Sequence, residues 1–296
     1  MATKAKSKLE GNFNWRVPTI VPSFIEGADA EAFLEEFNGR ADKDYKGNKN
    51  VKVLAYDGSL VTGSNPFAVV LANQILRPMG IRTATSADLG RIVESSGLPL
   101  RNQYEYAALV VRTDKDSYDP NAPLAQDMVA QVRARGLEPS VKNPIMIPLT
   151  GFDLTNADNQ YGLAFKLRDD AELIESPVLS GKQGTSFNKT DDNGLPIIEK
   201  GGQRTLYTRN EGLSGLVLGG GLGLSSGWRL DDSYSGGRVV VVSGEAGAPD
   251  FSAQFSTKVR QAYEQRKDEL SARFAQATQS LDAGYQQALK DLRSKE

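Results

Sequence analysis

The residues from Gly223 to Gly227 have the spacing G-x-S-x-G, with Ser225 in the middle. In a nucleophile elbow that spacing sits on a strand-to-helix turn, where the exposed hydroxyl passes its proton to a histidine. The chain contains no histidine. The residues after the motif, from Trp228 to Gly237, read as loop rather than helix, so a strand end turning through small residues is the expected structure here. Ser186 and Lys189 match S-x-x-K, in which a lysine serves as base without histidine. The following residues, Thr190 to Pro196, carry turn chemistry instead of the required helix, and neither K-T-G nor S-D-N occurs in the chain.

Glycine-rich runs raise the question of phosphate binding. From Gly219 the G-x-G-x-x-G pattern ends on Leu224, and from Gly221 it ends on Ser226, so the dinucleotide signature fails both ways. The Gly181-Lys182 pair has Ser176 where a P-loop needs glycine and Gln183 where it needs serine or threonine. Leu216, Leu218, Leu222 and Leu224 alternate with Val217, Gly219, Gly221 and Gly223. Leucines therefore occupy one face and nearly bare backbone the other. The glycines form either a hairpin turn or a strand closely covered by another backbone, that of a partner chain included.

Gly63, Ser64 and Asn65 precede Pro66 in the manner of a helix start, with a capping side chain and proline at the first helical position. Free N–H groups there could hold a phosphate or carboxylate, which makes these three residues the anion-binding candidate. Asp114, Asp116 and Asp119 open like a calcium loop. They have Asp119 where the sharp turn wants glycine and Ala125 where the bidentate glutamate would sit. Asp169, Asp170, Glu172, Asp231 and Asp232 could pair for carboxylate-based hydrolysis, which depends on separations that sequence does not give.

The double absence of histidine and cysteine closes thiol, zinc, iron–sulfur and histidine-assisted nucleophilic chemistry to this chain acting alone. No cofactor or metal is implied. With 35 basic and 37 acidic side chains and a net charge of -2, nothing draws the whole molecule to nucleic acid or anionic lipid. The lysines at positions 4, 6 and 8 lack a following apolar segment and read as a short basic tail rather than a signal peptide. No stretch approaches roughly eighteen apolar residues, so no membrane span is expected and the cytoplasm is the expected address.

The elements that would position these residues change in texture along the chain. Strands at 51–56, 106–112 and 145–149 alternate with helices at 66–77, 86–95 and 124–135, the pattern of a layered α/β lobe. From 161 to 244 short strand-like runs at 161–167, 204–209, 216–218, 222–224 and 238–243 are punctuated by glycine and turn residues. The organisation expected is a tail and extension over 1–50, an α/β lobe over 51–150, a β-rich region over 151–248 and a C-terminal helix over 249–296. The fold class is mixed α+β.

The C-terminal segment carries the strongest positive signal. Phe251, Phe255, Val259, Ala262, Leu270, Phe274, Ala277, Leu281, Tyr285, Ala288 and Leu292 recur on one stripe interrupted by Arg266. Its mean step is about 3.7 residues, so a left-handed coiled coil is not specified. A helix from Phe251 to Leu292 would be on the order of 60 Å long, more than a compact domain of this size covers along its length. Phe251, Phe255, Phe274, Leu281, Tyr285 and Leu292 are therefore the expected interaction residues. The function expected is a non-catalytic structural or interaction protein, a homo-oligomer or the holder of a protein partner, acting through this helix and the Gly/Leu-rich strands. The alternatives are a small-anion or nucleic-acid binder at Ser64 and a carboxylate-based hydrolase.

Overall fold

The computed structural model describes residues 21–180, 184–243, 267–268, 271–282 and 285. Its fold is mixed α+β, organised by one eight-stranded sheet. That sheet runs β11 (Pro196–Ile198), β10 (Thr185–Thr190), β12 (Arg204–Tyr207), β14 (Leu224–Trp228), β13 (Leu213–Leu218), β5 (Glu105–Val111), β6 (Ile145–Pro148) and β9 (Ile174–Glu175). Strands from the 51–150 and 151–248 segments thus share one sheet. β5 and β13 are buried at every position, which is why their sequences read as continuous apolar runs rather than alternating ones.

Alternation along β5 feeds two cores. Leu109 and Val111 join a cluster with Phe67, Met128 and Phe165, while Ala108 and Val110 face Leu89, Phe187 and Leu224. The first core is filled by α2 (Pro66–Leu76), buried at every residue except Gln74. A helix apolar all round must lie inside. Beside it pack α4 (Ala122–Arg133) and α1 (Gly27–Tyr45). Phe67 of α2 stacks on Phe165 with ring centroids 4.8 Å apart. Phe165 belongs to the hairpin of β7 (Phe152–Asn156) and β8 (Leu163–Leu167). On the other face, α3 (Ser86–Ser95) begins with a complete capping box between Thr85 and Asp88.

Several expected boundaries move. The 51–56 strand shrinks to β2 (Ala55–Tyr56), paired with β3 (Val61–Thr62), because Val51 and Lys52 both donate backbone N–H bonds to Asn48 O in a turn. Residues 222–224 are mostly turn, the strand starting at Leu224. The extension over 1–50 contains, from residue 21 onward, a strand and a 19-residue helix whose Phe33 and Phe37 are core. Of the expected C-terminal helix, residues 271–282 are helical, as are 267–268 and 285. Phe251, Phe255 and Leu292 lie outside the described residues. Among the described residues no helix is long and apolar enough to cross a membrane.

A smaller sheet closes the structure, with β15 (Val240–Ser243) between β1 (Val21–Phe24) and β4 (Ile81–Thr83). Glu105, fully buried at the start of β5, links it to the large sheet by accepting the Val240 N–H at 3.2 Å through one carboxyl oxygen. The other oxygen has no partner among the described residues. Burial pushes this carboxyl up to about 8, with the Val240 bond and Arg238 opposing. The folded chain therefore keeps a proton that the unfolded chain loses near the ordinary glutamate range. Stability from this group is full below that range and declines as pH rises toward 8. The melting temperature of the wild type should fall across pH 5 to 8 more steeply than that of Glu105→Gln, measured by calorimetry in matched buffers; parallel curves would refute the assignment.

Candidate functional site

The Gly/Leu-rich segment builds a hairpin and the floor of a groove. β12 and β14 run parallel, with Leu206 beside Leu224 and Tyr207 beside Ser225. Leu206, Leu224 and Ser226 point into the second core side, so Thr205, Tyr207, Ser225 and Gly227 fall on the opposite face. Between β13 and β14 the Gly219 N–H donates to Gly223 O at 2.8 Å and the Leu222 N–H to Gly219 O at 2.8 Å. Leu222 takes a left-handed φ of 61° there.

Both structures considered for the glycines are present, and the covering backbone comes from the same chain. A Cβ on Gly223 would lie 2.5 Å from Thr205 O, and one on Gly220 would lie 3.2 Å from Asn102 Cα. The Asn102 N–H donates to Gly220 O at 2.7 Å, tying the hairpin to the entry of β5.

Above this floor opens a groove of about 1080 Å³. Tyr207, 52% exposed, and Trp228 form its aromatic walls. Trp228 is held from behind by Tyr104, Tyr106 and Tyr234, with centroids 5.0, 5.9 and 5.9 Å away. Tyr106 in turn donates its hydroxyl to Arg229 O and Asp232 O, so the indole rests on a fixed platform. The charged side chain lining the groove is Arg209, which bonds to Asp116. Asp116, buried, also accepts the Tyr118 and Leu213 N–H groups. The residues that resembled a calcium loop thus anchor an arginine. On the reverse face of β14, Arg112 is buried, with no carboxylate in contact among the described residues, donating to Ser214 Oγ, Ser226 Oγ and the carbonyls of Ser226 and Leu179. Burial first, then Arg209, lowers it to about 10.

Ser225 lines the groove on a strand that continues to Trp228, without the strand-to-helix turn of an elbow. Ser186 and Lys189 both lie on β10, and the Ser186 hydroxyl donates to Glu199 O. Three of the five acidic residues considered for hydrolysis are engaged by arginine side chains, and Asp232 accepts the Arg229 backbone N–H at 3.3 Å. Asp170 meets Arg168 at 2.9 Å, Asp169 meets Arg135 at 3.4 Å and Asp231 meets Arg229 at 3.1 Å.

Gly63, Ser64 and Asn65 do start a helix, α2, and all three are buried. The Gly63 and Ser64 N–H groups and the Asn65 side chain are used inside the chain. Gly63 N–H donates to Gly237 O at 3.0 Å and Ser64 N–H to Ser233 Oγ at 3.2 Å. Asn65 Oδ1 accepts the Ala68 N–H at 2.9 Å while its amide donates to Asn50 O at 2.7 Å. Gly63 is required twice over, by a φ of 80° and by Val53 O lying 2.2 Å from where a Cβ would be. The Ser64 hydroxyl is buried without a partner among the described residues.

Of the six expected interaction residues, Phe274, Leu281 and Tyr285 are described, and they are 76%, 74% and 63% exposed. Every residue of 271–282 is exposed. The aromatic walls of the groove escaped sequence reasoning, because Tyr207 and Trp228 belong to separate strand runs and meet only through the β12–β14 pairing. No known protein family, curated protein or solved structure matches the chain.

Two mutational contrasts check this geometry. Gly223→Ala should cost about 1–3 kcal/mol in denaturant unfolding through its clash with Thr205 O, whereas Gly221→Ala, with nothing within 4 Å, should be within about 0.5 kcal/mol of wild type. At the start of α2, Asn65→Ala should cost about 1–2 kcal/mol as a lost cap, while Ser64→Ala should be neutral or stabilising because it removes an unpaired buried hydroxyl.

Proposed function

We propose that this chain is a non-catalytic interaction protein that associates with a second copy of itself through its C-terminal helix. The observation that carries the reading is the exposure of Phe274, Leu281 and Tyr285 on a helix solvated at every described residue from 271 to 282. At about 100° per residue Phe274 and Leu281 fall within roughly 20° of each other on one side of the 271–282 helix. Exposed apolar side chains so aligned favour association over solvation.

The order of residues favours a second copy as the occupant. Phe274 and Leu281 stand at equal distances from the midpoint between Ala277 and Thr278. A copy related by a two-fold axis through that midpoint sets Phe274 against Leu281 twice, with the small Ala277 and Thr278 where the helices cross. This is the self-complementary surface that a two-fold interface needs. Arg273 and Asp282, one of each sign, add no net charge to oppose it.

Full-length protein at tens of micromolar should scatter light as a dimer or larger. Phe274→Asp with Leu281→Asp should give a monomer whose body unfolds at the wild-type temperature. A wild type that is already monomeric, or a double mutant whose body loses stability, would contradict the proposal.

A further inference from the structure

We propose that the groove over β12 and β14 is a binding site for a neutral oligosaccharide, a property independent of the C-terminal helix. Three glycines of the groove are not required by the fold. Gly219, Gly221 and Gly227 all line the groove, and none has a left-handed φ. A Cβ on Gly219 would come no nearer than 3.9 Å to any atom, one on Gly227 no nearer than 3.6 Å, and one on Gly221 would meet nothing within 4 Å. Alanine would fit at each position. Glycine there leaves room and bare backbone on the groove side, unlike Gly220 and Gly223, which their own chain covers closely. The N–H groups of Gly220 and Gly221 donate to no acceptor among the described residues, which leaves donors for a ligand.

The remaining lining selects the chemistry. Tyr207 and Trp228 offer aromatic faces, and Trp228 is braced against three tyrosines, so it can take a stacked ring without moving. Gln203 and Asn210 supply amides, and Thr205 and Ser225 supply hydroxyls. These groups both donate and accept, as vicinal sugar hydroxyls require. Among the described residues, lysine, aspartate and glutamate are missing from the lining, and the one arginine, Arg209, is already bonded to Asp116. An ionic ligand would therefore find no unpaired counter-charge among the described lining residues. The volume, about 1080 Å³, stands at the upper end of small-molecule sites, with space for more than one sugar ring.

The chain has two tryptophans, Trp15 and Trp228, so Trp15→Phe in the full-length protein leaves Trp228 as a single reporter within the groove. Its emission should be titrated with neutral gluco-, manno-, galacto- and chito-oligosaccharides, with oligogalacturonate and an unstructured peptide mixture as comparisons. At least one neutral series should give a saturable shift below about 10 mM. Tyr207→Ala and Gly221→Val should each weaken it by about tenfold or more at an unchanged melting temperature. The proposal is overturned if no neutral series shifts the emission, if only the acidic oligosaccharide or the peptides do, or if Gly221→Val leaves the titration unaltered.

Discussion

β5 and β13 pair over six positions and neither strand has an exposed residue. A strand pair buried on both faces demands apolar cover twice, and the rest of the fold supplies it. α2 and α4 fill one side, and α3 with β10 and the Pro177–Ser180 turn fills the other. Close packing at this pair leaves little tolerance, since Gly215 of β13 meets the Tyr106 ring where any Cβ would clash at 2.6 Å. The same ring is part of the platform behind Trp228. Central packing and groove wall are therefore one mechanical unit.

Polar groups buried along this pair are held in different ways. Arg112, at the end of β5, has four acceptors supplied by Ser214, Ser226 and Leu179, which keeps the guanidinium charged despite its burial. Ser214 and Ser226 are buried hydroxyls on strands, and their side chains meet that guanidinium. Glu105, at the other end, has one hydrogen bond and one oxygen without a partner among the described residues. Neutral below about pH 8, it joins the two sheets as an uncharged carboxyl.

Local signals in the sequence reached as far as local structure does. α3 was legible to the residue from its helical spacing over 86–95, and the start of α2 was legible because Asn65 and Pro66 mark it. α1 carries the helical spacing Ala30, Phe33, Leu34, Phe37, Ala41, Tyr45, all buried. That stripe was hidden by eight charged residues among its 19 and by its place next to a basic tail. The glycine hairpin was legible as a turn and as a place of close backbone approach. Its covering strand was not, because the parallel pairing of β12 with β14 joins residues 18 apart and leaves no turn signature between them. For the same reason the groove could not be read. The Ser64 helix start illustrates the converse. The cap was visible, but Ser233 and Gly237, which occupy its donors, lie some 170 positions away.

On the proposed function, the exposed stripe on residues 271–282 meets its own copy in antiparallel register. Because the chain has no cysteine, a single introduced thiol is a unique spin-label site. Ser280→Cys and Lys267→Cys should be labelled separately and the distance between labels in the dimer measured by pulsed electron resonance. Antiparallel crossing near Ala277 and Thr278 sets the axial offset of the two 280 labels at about 8 Å and that of the two 267 labels at about 32 Å, from 1.5 Å per residue. The 267 distance should therefore be much the longer. Equal distances at both sites would mean parallel helices, and an absence of any coupling between labels would mean that the stripe does not bind its copy.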